Sequence, residues 1–317
     1  MIIDALQYVN PSRRAFEDMR SGGVDVVHMT VGYHEDFDGV LANLQKWNAL
    51  FEAHADLIQR ATGTQDILAA QSAEKTAILF GLQNPLAIGA DLRRIEILHH
   101  LGVRFCQLTY NQQSLLGAGC FEDNDSGLTA FGREAVDEMN RIGMVIDLSH
   151  AGHKTAMDTV KYSKRPVTVT HANPKAWHDV PRNLAPELIA ALADTGGMIG
   201  FSLYPHHLKD GSACTLESFT NMVAALVDEH GPALLGLGSD FCQDQPDSVV
   251  NWMRNGHWRK NPVPAVAFPD QPVWFQSNRD FPGIAAGLSQ AGQNAKVVEG
   301  IMGQNWFNFL SRAFQPS

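Results

Sequence analysis

The 317-residue chain has only four cysteines, Cys106, Cys120, Cys214 and Cys242, and none of them form a CxxC pair. A disulfide framework or a structural zinc knuckle is therefore not expected, and a reducing cytoplasm suits the chain. Basic residues are also in short supply: 24 Lys and Arg against 34 Asp and Glu leave a formal net charge of −10. Such an acidic chain has no general attraction to nucleic acid or anionic lipid, so neither is expected as a partner. No apolar run reaches the length of a bilayer span, and the opening Met-Ile-Ile-Asp carries neither the basic nor the apolar stretch of a signal peptide. No GxGxxG follows the first apolar run, which argues against an open doubly wound sheet built around a dinucleotide.

What is present is core-building sequence, 44% hydrophobic and 18% charged, enough to fold as a soluble domain. Eight short apolar or β-branched runs recur, at 2–6, 24–30, 77–83, 103–110, 144–150, 167–171, 197–203 and 234–240. Polar turns and amphipathic stretches separate them, with helices expected over 12–21, 37–62, 129–141 and 186–195. Continuous apolar runs alternating with helical patterns imply parallel strands buried on both faces. Eight such units predict an α/β protein, a single (β/α)8 TIM-type barrel spanning 1–317, with its active site at the C-terminal ends of the strands. The aperiodic stretch 245–280, with several prolines and Trp252, Trp258 and Trp274, is expected to be a long lid or interface loop.

The ends of the runs would then face one pocket: Leu6, His28 or Thr30, Gln83, Tyr110, His150, His171, Tyr204 or His206, and Asp240. His150 and His171 end apolar runs 21 residues apart, which places two imidazoles side by side at one rim. They suit a metal or proton-transfer site, or are two buried histidines satisfied by backbone. Asp240 ends a Gly-rich run and is a candidate metal ligand, proton shuttle or helix cap. Arg182, in the loop after the His171 run, suits a substrate carboxylate, or is a structural arginine. Tyr110 and Gln83 are neutral hydrogen-bonding groups, satisfied rim residues or participants in binding. The remaining histidines, His34, His99, His100, His153, His178, His207, His230 and His257, are read as solvated, with His178 and His207 as outer supports of the site.

The stretch Gly127-Leu128-Thr129-Ala130-Phe131-Gly132-Arg133-Glu134, continuing through Met139-Asn140-Arg141-Ile142-Gly143 to Asp147-Leu148-Ser149-His150, resembles the most recognisable segment of the membrane (renal) dipeptidases, zinc peptidases of the amidohydrolase-like barrel group. Pro181-Arg182-Asn183, Gly238-Ser239-Asp240-Phe241 and Met302-Gly303-Gln304-Asn305-Trp306 carry the same resemblance, as do the intervals between positions 83, 110, 150, 171, 182 and 240. It is clear over roughly 75–315 and poor before that. The resemblance implies a (β/α)8 barrel, often dimeric. It implies that His150 and His171 bind a second zinc ion, that Arg182 holds the substrate carboxylate, and that Asp240 handles the proton near the leaving amine.

Departures from the family pattern are concentrated at the first metal. Its His-x-Asp pair corresponds to Leu6 and Tyr8, its bridging glutamate to Gln83, and its carbonyl-contacting histidine to Tyr110. Three of five ligand positions, both carboxylates among them, are thus changed, so one zinc ion or none is expected at His150 and His171, with Asp240 completing a His-His-Asp set. The leading expectation is a dipeptidase-like hydrolase, a homodimer, acting on a small carboxylate-bearing substrate. Tyr110, Asp240 and His150 would do the chemistry, while Arg182, Gln83 and Tyr110 bind the substrate. A lyase or isomerase, or a non-catalytic small-molecule-binding barrel, are the alternatives.

Overall fold

The computed structural model describes residues 1–256, 260 and 267–315. Among these, the strands are β1 (Ile3–Gln7), β2 (Val26–Gly32), β3 (Ile58–Arg60), β4 (Thr76–Leu82), β5 (Val103–Gln107), β6 (Val145–Asp147), β7 (Thr168–Val169), β8 (Met198–Phe201) and β9 (Leu235–Leu237). All pair in parallel. β1, β2, β4, β5, β6, β7, β8 and β9 close into a ring, and β3 branches from the start of β4. This is the (β/α)8 barrel that the alternation of runs predicts.

The strands are apolar on both faces because each face meets a different core. Ile3, Ala5, Val26, Ala77, Leu79, Phe105, Val145 and Met198 pack with Trp306, whose indole N–H donates to the Leu237 carbonyl at 2.9 Å. Val27, Met29, Ile78, Phe80, Ile146 and Val169 belong to the larger cluster shared with the helices. Those helices are α1 (Arg13–Ser21), α2 (Phe37–Ala53), α3 (Thr64–Ser72), α4 (Arg93–His100), α5 (Ala130–Ile142), α6 (His153–Tyr162), α7 (Pro186–Asp194), α8 (Leu216–His230), α9 (Asp247–Asn255), α10 (Phe281–Gln290), α11 (Ala295–Glu299) and α12 (Asn305–Ala313). Local chemistry sets their ends. The Ser12 hydroxyl accepts from the Ala15 N–H to start α1, and the Thr129 hydroxyl accepts from the Gly132 N–H to start α5. Gly143 ends α5 at φ 79°, a conformation glycine adopts without strain. None of the helices among the described residues is long and apolar enough to cross a membrane.

Two sequence expectations need correction. The helix expected over 37–62 stops at Ala53, where His54 closes it on the Leu50 carbonyl. Its buried residues, Val40, Leu44 and Trp47, have by then used the length of the barrel, and Ile58 turns in instead to pair with Thr76. The expected loop 245–280 contains α9, which starts after Pro246 and buries Val250, so part of it is regular structure. Trp258 and His257 lie outside the described residues. β1 and β2 run one or two residues past their apolar runs, whereas β4 to β9 end earlier than theirs, which moves Gln83, Tyr110, His150, His171 and Asp240 onto the loops that follow.

Candidate functional site

Asp147, the last residue of β6, organises one side of the barrel mouth. Its carboxylate accepts from the Ser149 N–H (2.9 Å) and hydroxyl (2.7 Å), the Thr170 N–H (3.0 Å) and hydroxyl (2.6 Å), and the Gln107 amide (2.9 Å). The loop leaving β6 is thereby pinned to the loop leaving β7. Gly200 and Gly238 leave room for this close approach, since a Cβ at either would collide with the Thr170 carbonyl. His150 follows in the left-handed region at φ 65°. Asn111 (φ 65°) and Asp240 (φ 56°) share that uncommon backbone, which costs energy and clusters at functional sites.

The two imidazoles meet. His150 Nε2 lies 3.0 Å from His171 Nε2. His150 Nδ1 is 2.7 Å from the Asn111 side-chain oxygen, to which its N–H donates. His171 Nδ1 is 2.8 Å from the Thr170 hydroxyl, whose single proton is given to Asp147, so the Thr170 oxygen accepts. Both Nδ1 protons are then committed, and two Nε2 lone pairs face each other. Such an arrangement is favourable when a cation, a proton or a metal ion, lies between them. Burial, and then the Arg182 guanidinium, push both imidazoles well below the ordinary histidine range, which keeps them in the neutral, metal-binding form.

Arg182 is 7% exposed. One terminal nitrogen donates to the His171 carbonyl at 3.1 Å, and its Nε has no partner among the described residues. Asp240 is half-buried, and its carboxylate receives no hydrogen bond from a described residue. It is not a helix cap, because α9 begins only at Asp247. Burial raises its pKa to about 7, with Arg182 pulling it back and Asp4 and Asp147 pushing it further up. The β1–β4 side of the mouth is different in kind. Leu6 is fully buried. Gln83 donates to the Thr30 hydroxyl (2.8 Å) and the Tyr33 hydroxyl (2.6 Å), and the Tyr33 ring packs edge-on against Tyr8 (4.6 Å) and Tyr110 (5.2 Å). Tyr110 in turn lies 4.3 Å from the His150 ring.

A cavity of about 730 Å³ brings Gln83, Tyr110, His150, Arg182, Tyr204, His206 and Asp240 together. His171 is fully buried behind it, and Leu6 and Thr30 do not line it. His28 points into the barrel, its Nδ1 2.6 Å from the Ala5 carbonyl and its ring stacked on Phe105 at 4.1 Å. His34, read as solvated, is buried with its Nε2 2.9 Å from the Met253 carbonyl, and His207, singled out as an outer support, is buried with its Nδ1 2.8 Å from the Ser202 hydroxyl. Sequence reasoning also passed over Asp147, Thr170 and Asn111. An acid inside the apolar run 144–150 is the signal that points to the first of them.

The expected His-His-Asp set does not form. Among the described residues no three His, Cys, Asp or Glu side chains converge on one point. Asp240 follows β9, and β8 separates that strand from the one leading to His171. A two-ion centre fits these residues poorly, because Gln83 points its amide donors at Thr30 and Tyr33 while Leu6 offers no ligand atom. A single cation fits the facing lone pairs of His150 and His171.

The fold is a (β/α)8 barrel with a cavity at the C-terminal mouth of its strands. A model of the membrane dipeptidase family, peptidase family M19, matches residues 9–254, and the chain belongs to that family. The match begins well before position 75, where the resemblance becomes legible by inspection. Dipeptidase tcpJ of Claviceps purpurea is 26% identical over 289 residues, covering 90% of this chain and 61% of that protein. Dipeptidase 3 of Rattus norvegicus is 31% identical over 180 residues, covering 54% of this chain and 36% of the relative. The chain thus spans about a third to three-fifths of these relatives' length. An amidohydrolase from Pseudomonas aeruginosa, 33% identical, superposes with a TM-score of 0.94 over 99% of this chain and 96% of its own. A metallopeptidase from Rhodobacter sphaeroides, liganded with a phosphinate mimic of the dipeptide L-Ala-D-Ala, shares the fold at 19% identity and TM-score 0.82, over 98% of this chain and 99% of its own.

Proposed function

We propose that the chain is a dipeptidase-like hydrolase that cleaves an amide bond in a small carboxylate-bearing substrate, with one cation or none at His150 and His171. The observation that carries this reading is the pair of Nε2 atoms 3.0 Å apart, with both Nδ1 protons committed elsewhere. Arg182 pairs with the substrate carboxylate through the donor it leaves unused. Tyr110 donates to the oxyanion that develops on the attacked carbonyl, and Gln83 contacts the substrate beside it. Asp240, with a pKa raised to about 7, delivers a proton to the leaving nitrogen, and His150 takes one from water when no ion occupies its Nε2. A zinc ion, when bound, would be held by His150 and His171 and would polarise water or the substrate carbonyl.

Metal content per chain, measured on protein purified without chelator, tests the cation count. A value at or below one is expected, and a value of two overturns it. A turnover screen over dipeptides and related amides tests the chemistry. Asp240→Ala retaining full activity would remove Asp240 from the mechanism.

A further inference from the structure

The cavity walls carry a second kind of information. Above the polar floor they offer accessible apolar groups, Val180 on the loop that carries Arg182, Met253 on α9, and Phe121 from the loop between β5 and α5, beside the polar Gln112, His178 and Arg254. Phe121 is 53% exposed, so its ring stands at the mouth. A volume of about 730 Å³ lies well inside the range of pockets that hold drug-sized ligands. An amino acid bearing a medium-length acyl chain fills more of it than two small residues do.

The charges are unevenly matched to a free dipeptide, which brings an ammonium as well as a carboxylate. The carboxylates that line the cavity are Asp240 in the floor and Asp210 at the exposed rim; Arg182 and Arg254 are the matching cations. Arg182 has a substrate carboxylate to meet. Among the described residues an ammonium has only Asp240 within the floor, and a carboxyl that gives its proton to the leaving nitrogen is not at the same time that ammonium's counter-ion. The pKa of about 7 at Asp240 agrees with the proton-carrying role.

We infer that the substrate is an N-acylated amino acid with an apolar acyl group rather than a free dipeptide, its carboxylate on Arg182 and its acyl chain along Val180, Met253 and Phe121. This rests on the hydrolase reading above. Water adds its oxygen to the acyl carbon and the C–N bond breaks. The electron pair stays on nitrogen, which takes the Asp240 proton, and the proton lost by water restores the acid. The products are a carboxylic acid and a free amino acid, with no change of oxidation state.

The test measures kcat/KM and calorimetric Kd for N-acetyl, N-hexanoyl and N-decanoyl derivatives of one amino acid, in both enantiomers, beside the glycyl dipeptide with the same C-terminal residue. The decanoyl compound is expected to exceed the dipeptide by at least about tenfold, and each methylene to add up to about fourfold, the factor for one buried CH₂. Met253→Glu is expected to flatten that chain-length dependence. A dipeptide cleaved faster than its acyl counterparts overturns this inference and leaves the hydrolase reading standing. If no amide is cleaved, the hydrolase reading falls and binding decides: a decanoyl compound bound no tighter than the dipeptide overturns the inference as well. Because the wild-type series is decisive alone, a misfolded variant does not rescue it.

Discussion

The two sides of the barrel mouth are built on opposite principles. Around β6 and β7, a carboxylate with five donors pins two loops, and the loops present two neutral imidazoles whose outward nitrogens face each other. Around β1, β2 and β4, the same rim is filled by an aliphatic side chain, a ring cluster and an amide whose donors are spent on hydroxyls. The first side stores potential for chemistry: lone pairs, a left-handed His150 and an arginine with an unused donor. The second side is internally satisfied. The difference teaches that neutral hydrogen-bonding groups can fill one half of a barrel rim while the other half keeps a network that orients two histidines.

The comparison breaks most easily at the imidazoles. On the proposed reading His171→Ala removes half of the facing pair, and turnover should fall by about 10² to 10⁴-fold, the usual worth of a positioned acid–base group. Steady-state kinetics on any cleaved amide checks this, and a loss below tenfold would place the chemistry elsewhere. Next comes Asp147→Asn. It weakens the chain from Asp147 through Thr170 to His171, so cation affinity or turnover should drop about 10- to 100-fold, as for outer partners of metal-bound histidine. The same change should lower stability by about 2–3 kcal/mol, because hydrogen bonds to a charged acceptor are lost. On the opposite side Gln83→Leu leaves the Thr30 and Tyr33 hydroxyls short of a partner. A stability loss of about 1–3 kcal/mol in denaturant melts is expected, with turnover changed by less than about tenfold. Equal losses of turnover for Gln83→Leu and His171→Ala would abolish the distinction between the two sides.

The barrel was legible because buried parallel strands write continuous apolar runs, and each of the eight expected runs holds a ring strand. Residues 37–62 were misjudged because the apolar pattern of α2 continues smoothly into Ile58, and only the length of the barrel decides where the helix must stop. His150, His171 and Asp240 stand out in the sequence at the ends of runs, and Arg182 in the loop that follows one of them. Their orientation does not. Whether two imidazoles face each other depends on the left-handed turn at His150 and on the direction in which the Thr170 hydroxyl donates, and neither is written in residue spacing. Distance across the ring is equally silent in the sequence, and so Asp240 was grouped with two histidines that a full strand separates from it.

The smallest effect expected is thermodynamic and sits between the two sides, at Asp240. Its carboxyl is lifted from 3.8 to about 7 by burial. The folded protein therefore holds a proton there that the unfolded chain has released, throughout the window from about pH 4 to about pH 7. Wherever the folded state binds more protons, stability falls as pH rises, so this group costs the fold most above pH 7 and nothing below pH 4. Asp240→Asn keeps the shape and removes the titration. The variant should match the wild type near pH 4 and exceed it near pH 8. Because Asp240 is half-buried and open to the cavity, solvent screens it, and the gain is expected at about 1–2 kcal/mol. Melting curves of both proteins from pH 4 to pH 8 measure it. A constant offset across that range would mean that Asp240 is ionised in the fold throughout, paired with Arg182 and unable to supply a proton, and the β6–β7 side would then have to furnish the acid as well as the base.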